Sequence, residues 1–190
     1  LVRDARGNAA VRREVARTLR RLLGLDIDPA PLHARAAGEP AIRAAAHALR
    51  GLRPPRFASL FEAFASVVPF QQVSLDAGVA VVGRVVEKFG AWVEHGGERH
   101  RAFPTAVAIA AARPAALRAC GLSAQKAGTL QAVAAVISRG ELHEEQLEAL
   151  TTADAIARLT ALKGVGPWTA GLVLLRGCGR LDVFPPGDVG

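Results

Sequence analysis

With 190 residues, half of them apolar, this chain has material for one substantial packed domain, or for a domain and a partial neighbour. No apolar run approaches the ~18 residues of a membrane span, no secretory leader is visible, and Cys120 and Cys178 make neither a disulfide framework nor a zinc site. The net charge of +7 sits entirely in residues 1–56, where twelve arginines face five acids, while residues 57–190 balance at zero. The cysteine usage fits a reducing, cytoplasmic setting. The chain starts at Leu1 and has no methionine, so it is expected to be incomplete at both ends.

The elements read as helix almost throughout. Val11, Val15, Leu19, Leu22 and Leu23 recur at near-helical spacing between Asn8, a candidate cap, and Gly24, a stop. Pro29-Ala30-Pro31 opens a second helix and Pro40 to Leu49 forms a third. Gly51-Leu52-Arg53-Pro54-Pro55 reads as a stiff linker. It divides an arginine-rich helical segment, 1–51, from a main domain, 52–190. That first segment could be the end of a missing N-terminal domain. Its arginines admit two readings, a solvated helix face or direct phosphate contact.

In the main domain, Ser59 caps a helix reaching about Val68, with Glu62 in capping-box position. Ser74 to Phe89 is a longer helix closed by Gly90. His95 to Ala102 reads as a polar loop, and short helices follow over 105–111 and 114–119. Ser123 caps a helix to Ile137, and acid-started helices cover Glu141–Leu150 and Asp154–Leu162. Trp168 to Leu175 is the last, stopped by Gly177 and Gly179. Beyond a possible remnant at Leu1-Val2, no strand is expected, so the fold class is all-α.

The segment Leu162-Lys163-Gly164-Val165-Gly166-Pro167-Trp168-Thr169-Ala170 lies between two of these helices. Glycines let the backbone approach a partner in conformations that a side chain forbids. Pro167 suits the first turn of a helix. Amides exposed at such a turn suit an anion, and a helix–turn–helix of this kind suits a nucleic-acid phosphate. Asp182-Val183-Phe184-Pro185-Pro186-Gly187-Asp188 follows, placing a carboxylate on a loop beyond the second helix. Asp188 reads either as a helix cap or as a chemical group beside the anion site.

This segment resembles the helix–hairpin–helix superfamily of DNA glycosylases, and most of all its 3-methyladenine DNA glycosylase II branch. Gln71-Gln72-Val73-Ser74-Leu75 and Gly121-Leu122-Ser123-Ala124-Gln125-Lys126-Ala127 resemble two further motifs of that branch, in the family's order. The likeness runs over roughly residues 52–190, with the chain truncated just after the aspartate loop. It implies a monofunctional DNA N-glycosylase that flips alkylated purines out of duplex DNA and hydrolyses their bond to the sugar. It implies Asp188 as the catalytic carboxylate, and the double-stranded DNA partner carries a damaged base. By position, Lys163, Gly164, Val165, Gly166 and Thr169 would meet DNA. Gln72 would be the wedge filling the gap left by the flipped nucleotide. Gln71, Phe70, Trp168 and Leu172 would line the base pocket.

Trp168 stands where strand-cutting relatives carry a lysine, so no Schiff base is expected there. It could stack on an electron-poor base or anchor the hairpin in the core. Leu172 and Val189 replace the tyrosines of some relatives, which argues for a narrow base range. The resemblance also implies a monovalent cation held by hairpin carbonyls; no other cofactor, no protein-bound metal and no iron–sulfur cluster are expected. A bacterial, monomeric, DNA-associated protein is the expectation. The alternative is a non-catalytic helix–hairpin–helix DNA-binding module.

Overall fold

The computed structural model describes residues 9–187. The Asn8 cap, the Leu1-Val2 remnant, Asp188 and Val189 lie outside those residues. The chain divides into two compact units between Ala58 and Ser59.

The first unit holds α1 (Ala9–Leu22), α2 (Ala30–Ala37) and α3 (Pro40–Ala48). The proline linker folds back within this unit. The Arg56 amide donates to the Leu22 carbonyl at 3.1 Å, and the Arg53 guanidinium donates to the Ile27 carbonyl at 3.1 Å. Gly24 ends α1 at φ +61°, and a Cβ there would meet the Pro54 carbonyl at 2.7 Å. Leu19, Leu23, Leu32 and Leu49 are all exposed.

The second unit runs α4 (Leu60–Val67), a 3₁₀ turn (Val68–Phe70), α5 (Leu75–Phe89), β1 (Trp92–His95), β2 (Glu98–Arg101), α6 (Ala106–Ala110), α7 (Pro114–Arg118), α8 (Ala124–Ser138), α9 (Glu144–Glu148), α10 (Thr152–Thr160) and α11 (Pro167–Val173). A wider helical turn, Leu174–Cys178, prolongs α11 and ends at Gly179 in the left-handed conformation. The helix starts are set by hydroxyl caps. Ser59 Oγ accepts from the Glu62 amide at 3.1 Å, Ser123 Oγ from Lys126 at 3.2 Å, and Thr151 Oγ1 from Asp154 at 3.2 Å.

Helix α8 lies at the centre and packs against α4, α6 and α7. Its Ala127, Leu130 and Ala134 join Phe61, Ala65, Val81, Val85, Ile109 and Leu117 in one buried cluster. Thr129 and Val133 are buried as well. A helix covered on several sides loses the single apolar stripe of a surface helix. Helix α11 packs on α4 and α10, which fixes the turn between α10 and α11 against the core.

The polar loop expected over 95–102 is instead part of an antiparallel hairpin. Trp92 pairs with Arg101, Val93 with His100, Glu94 with Arg99 and His95 with Glu98. Gly96 and Gly97 make the turn at φ +64° and +87°, the double left-handed geometry that suits right-twisted strands. The guanidinium groups of Arg99 and Arg101 lie 4.3 and 3.7 Å from the Trp92 ring centre, so cation–π stacking stands in for a buried apolar face.

Candidate functional site

The turn between α10 and α11 is braced from beneath. Gly164 has φ +81°, and an added Cβ would fall inside the Thr129 hydroxyl and 3.0 Å from the Thr129 Cβ. Thr129 is 2% exposed. It fills the space that a side chain at 164 would need. Val165, 4% exposed, is the apolar anchor of the turn, and its amide donates to the Leu162 carbonyl at 3.0 Å. Gly166 is different. Its φ of −89° is ordinary, and a Cβ there would meet no atom within 4 Å. The strain expected from a side chain in this Gly-Val-Gly turn therefore belongs to Gly164 alone. Pro167 occupies the first turn of α11, and Lys163 is exposed.

Gln71 and Gln72 lie just before α5. Ser74 is the cap, its Oγ accepting from the Ala77 amide at 3.4 Å, because a serine in extended backbone outcompetes glutamine as a helix start. Gln72 is exposed and has φ 54°, the only left-handed non-glycine backbone among the described residues. Gln71 is half-buried and reaches the hairpin. Its Nε2 donates to Thr169 Oγ1 at 2.9 Å and to the Gly164 carbonyl at 3.3 Å. Thr169 is 2% exposed, so its hydroxyl is turned inward. The hydroxyl that the sequence reading gave to DNA accepts this internal bond from Gln71.

A cleft of about 890 Å³ joins these parts. Phe70, Gln71, Gln72, Lys163, Gly164, Val165, Gly166, Trp168 and Thr169 all line it, with Gly187 on its wall. Leu172 does not, being one helical turn further along α11, so the structure does not support its expected place in the pocket. Phe70 is fixed by contact with α5. A Cβ on Gly78 would sit 2.7 Å from the Phe70 Cγ, so the ring occupies the room left by the missing side chain.

Lys126 and Gln125 are among the further lining residues that were given no role from the sequence. Lys126 is half-buried and donates from Nζ to the Pro69 carbonyl at 3.0 Å. Burial pushes its ammonium below the usual lysine range, since desolvation penalises the charged form. Gln125 stands beside it. Both lie in the stretch Gly121–Ala127, which supplied a usable signal, because a lysine in the first turn of a helix opposes the dipole and needs another reason to be there.

The loop toward Asp188 is also held in place. Val183 and Pro185 are buried, and Gly171 of α11 receives them. A Cβ at 171 would be 3.2 Å from the Pro185 Cα and 3.3 Å from Val183 Cγ1. Arg180 donates to the Leu147 carbonyl at 2.7 Å and to Thr152 Oγ1 at 2.9 Å, and the Thr152 hydroxyl donates to the Asp182 carboxylate. That hydroxyl bond holds the Asp182 carboxyl below its usual pKa, with Arg180 adding a smaller electrostatic pull. Asp182 thus ties the loop to the start of α10. Gly187, at φ +71°, brings the backbone to the cleft wall one residue before Asp188.

A family model for HhH-GPD superfamily base excision DNA repair proteins matches residues 65–190, the hairpin and cleft included. The chain belongs to the HhH-GPD superfamily. It is 31% identical over 179 residues to the DNA-3-methyladenine glycosylase of Bacillus subtilis, covering 94% of this chain and 59% of that protein. Among solved structures it is similar to a 3-methyladenine DNA glycosylase from Archaeoglobus fulgidus, with TM-score 0.80 and 32% identity over 95% of this chain and 60% of that one. It is also similar to Schizosaccharomyces pombe Mag1, a 3-methyladenine DNA glycosylase solved with abasic DNA, with TM-score 0.64 and 28% identity over 81% of this chain and 72% of that one. This HhH-GPD chain thus spans about three-fifths of the length of the Bacillus and Archaeoglobus proteins. Within the superfamily frame, the all-helical expectation holds apart from the β1–β2 hairpin. Among the described residues, no helix is long and apolar enough to cross a membrane, and no cluster of His, Cys, Asp or Glu could hold a metal ion.

Proposed function

We propose that this protein is a monofunctional DNA N-glycosylase that excises alkylated purines of the 3-methyladenine type from double-stranded DNA. The observation that carries the proposal is the single cleft walled by the hairpin turn, the Gln71-Gln72 turn and the loop at Gly187. A glycosylase needs a phosphate grip, a group to occupy the vacated stack and a pocket for the flipped base, close together. Similarity to glycosylases named for 3-methyladenine supplies the substrate class.

In this reading the turn amides around Gly166 approach a phosphate, with Lys163 adding charge at the rim. Gln72 enters the stack. The flipped base lies against Trp168 and Phe70, where an electron-poor ring gains from stacking on indole. Asp188 supplies the anion. As the C1′–N bond breaks, its electron pair leaves with the base and positive charge grows on the deoxyribose. A carboxylate beside that charge stabilises it and orients a water, whose oxygen bonds C1′ as its proton passes to the carboxylate. An alkylated purine is already cationic, so the leaving group needs no strong acid. Trp168 offers no amine, so strand cleavage through a Schiff base is not part of the reaction.

A monovalent cation on the hairpin carbonyls is compatible with the donor set. The Leu162 and Gly164 carbonyls each accept one hydrogen bond and keep a second lone pair. Such a cation would add positive charge near a bound phosphate. The protein would work as a monomer on chromosomal DNA inside the cell. The test is release of bases from methylated duplex DNA by the intact protein. Release of 3-methyladenine without strand scission supports the proposal; tight duplex binding with no base released would make it a helix–hairpin–helix binding module instead.

A further inference from the structure

Gln72 keeps a left-handed backbone at φ 54°, which a residue with a side chain adopts only where its surroundings dictate it. The three residues before it are each held. Lys126 Nζ holds the Pro69 carbonyl at 3.0 Å. The Phe70 ring sits over Gly78. Gln71 is fastened to the hairpin, donating to Thr169 Oγ1 at 2.9 Å and to the Gly164 carbonyl at 3.3 Å. Its partner Thr169 is 2% exposed, and the Thr169 hydroxyl is engaged by Gln71. Gln72 is therefore the first free residue of a turn whose last fixed point is the hairpin itself.

We propose that Gln71 is a positioning residue that couples the hairpin's grip on DNA to insertion of Gln72, through its bonds to Thr169 and the Gly164 carbonyl. The inference rests on the glycosylase reading and assigns Gln71 a task other than reading a base. One amide spans two segments nearly a hundred residues apart in sequence, one of which meets the phosphates and the other the base stack. When the hairpin seats on the backbone, the Gln72 turn is carried to a fixed depth in the duplex. Without the bridge the hairpin still binds, but the turn is no longer delivered in register.

The test uses the intact protein and a duplex in which an abasic analogue faces 2-aminopurine, whose fluorescence changes when a wedge enters the gap. That duplex offers no base to excise, so the signal needs no chemistry at Asp188. Gln71→Leu and Thr169→Val should each lower the fluorescence amplitude at saturation by a larger factor than they lower the affinity measured by anisotropy. The double variant should lose no more than the worse single one, and Thr169→Ser, which keeps the hydroxyl, should restore the signal. Thermal melts confirm that each variant is folded. If Gln71→Leu loses amplitude and a folded Thr169→Val keeps it, Gln71 acts on the DNA directly and the coupling is wrong. Equal loss of affinity and amplitude in both would reduce the bridge to general support of the fold and also overturn it. A wild type that binds no duplex would defeat the glycosylase reading itself; one that binds with no fluorescence change would defeat only the coupling.

Discussion

Replacing Gly164 with alanine should weaken the fold, and replacing Gly166 should not. At Gly164 two costs add. An L-residue at φ +81° lies in the left-handed region, at about 1–3 kcal/mol. Its Cβ would also overlap the Thr129 hydroxyl, and Thr129 is packed inside α8 with nowhere to retreat, which is overpacking at about 1–3 kcal/mol. The sum is about 3 kcal/mol, or a fall of roughly 10 °C in Tm for a domain of this size. Gly166 has neither cost, so Gly166→Ala should stay within about 0.5 kcal/mol of the parent. Thermal and urea unfolding of both variants measures the contrast. Adding Thr129→Ala to Gly164→Ala removes the overlap but not the backbone strain, so it should recover about 1 kcal/mol in a double-mutant cycle. If Gly164→Ala cost under about 0.5 kcal/mol, or Gly166→Ala cost as much, the account of the turn would be wrong.

Gly166→Val should keep its Tm yet lose affinity for an abasic-analogue duplex, because the proposed approach of the backbone to a phosphate uses the open space beside it; unchanged affinity would remove the amides from the interface. Lys163→Ala should mainly flatten the salt dependence of binding, by about one unit in log–log slope, as measured across a salt series. Borohydride added during base release should trap no covalent protein–DNA adduct, and an adduct mapped to Lys126 or Lys163 would contradict the monofunctional reading. Asp182 has a depressed carboxyl pKa, so the stability it contributes is present above its unfolded value, near 3.8, and is lost as pH falls through the lower folded value. Asp182→Asn should remove that part of the acid-limb slope in pH-dependent melts, and an unchanged slope would mean that its bond to Thr152 does not count.

Helix starts were legible because a hydroxyl immediately before an apolar helical run has one strong use, as Ser59, Ser123 and Thr105 show. The β-hairpin was not read because its strands, Trp-Val-Glu-His and Glu-Arg-His-Arg, lack apolar alternation and rely on arginines stacked on Trp92. Gly96-Gly97 was the one available signal. The hairpin, the Gln-Gln turn and the Gly187 loop were nominated from sequence, and the structure gathers them into one cleft. What sequence could not show is which glycine of Gly-Val-Gly turns left-handed, since that depends on Thr129, thirty-five positions away. Nor could it show that Thr169 faces inward, because its partner Gln71 lies on the far side of the domain in sequence.

The proposal gives Asp188 the chemistry and leaves DNA binding to the hairpin and the cleft. Single-turnover excision from a methylated duplex, compared between wild type and Asp188→Asn with affinity for an abasic-analogue duplex measured on the same samples, tests it most directly. The account predicts that excision falls by at least about a hundredfold while affinity changes by less than about threefold. Base release surviving in Asp188→Asn, or excision and binding lost together, would contradict it.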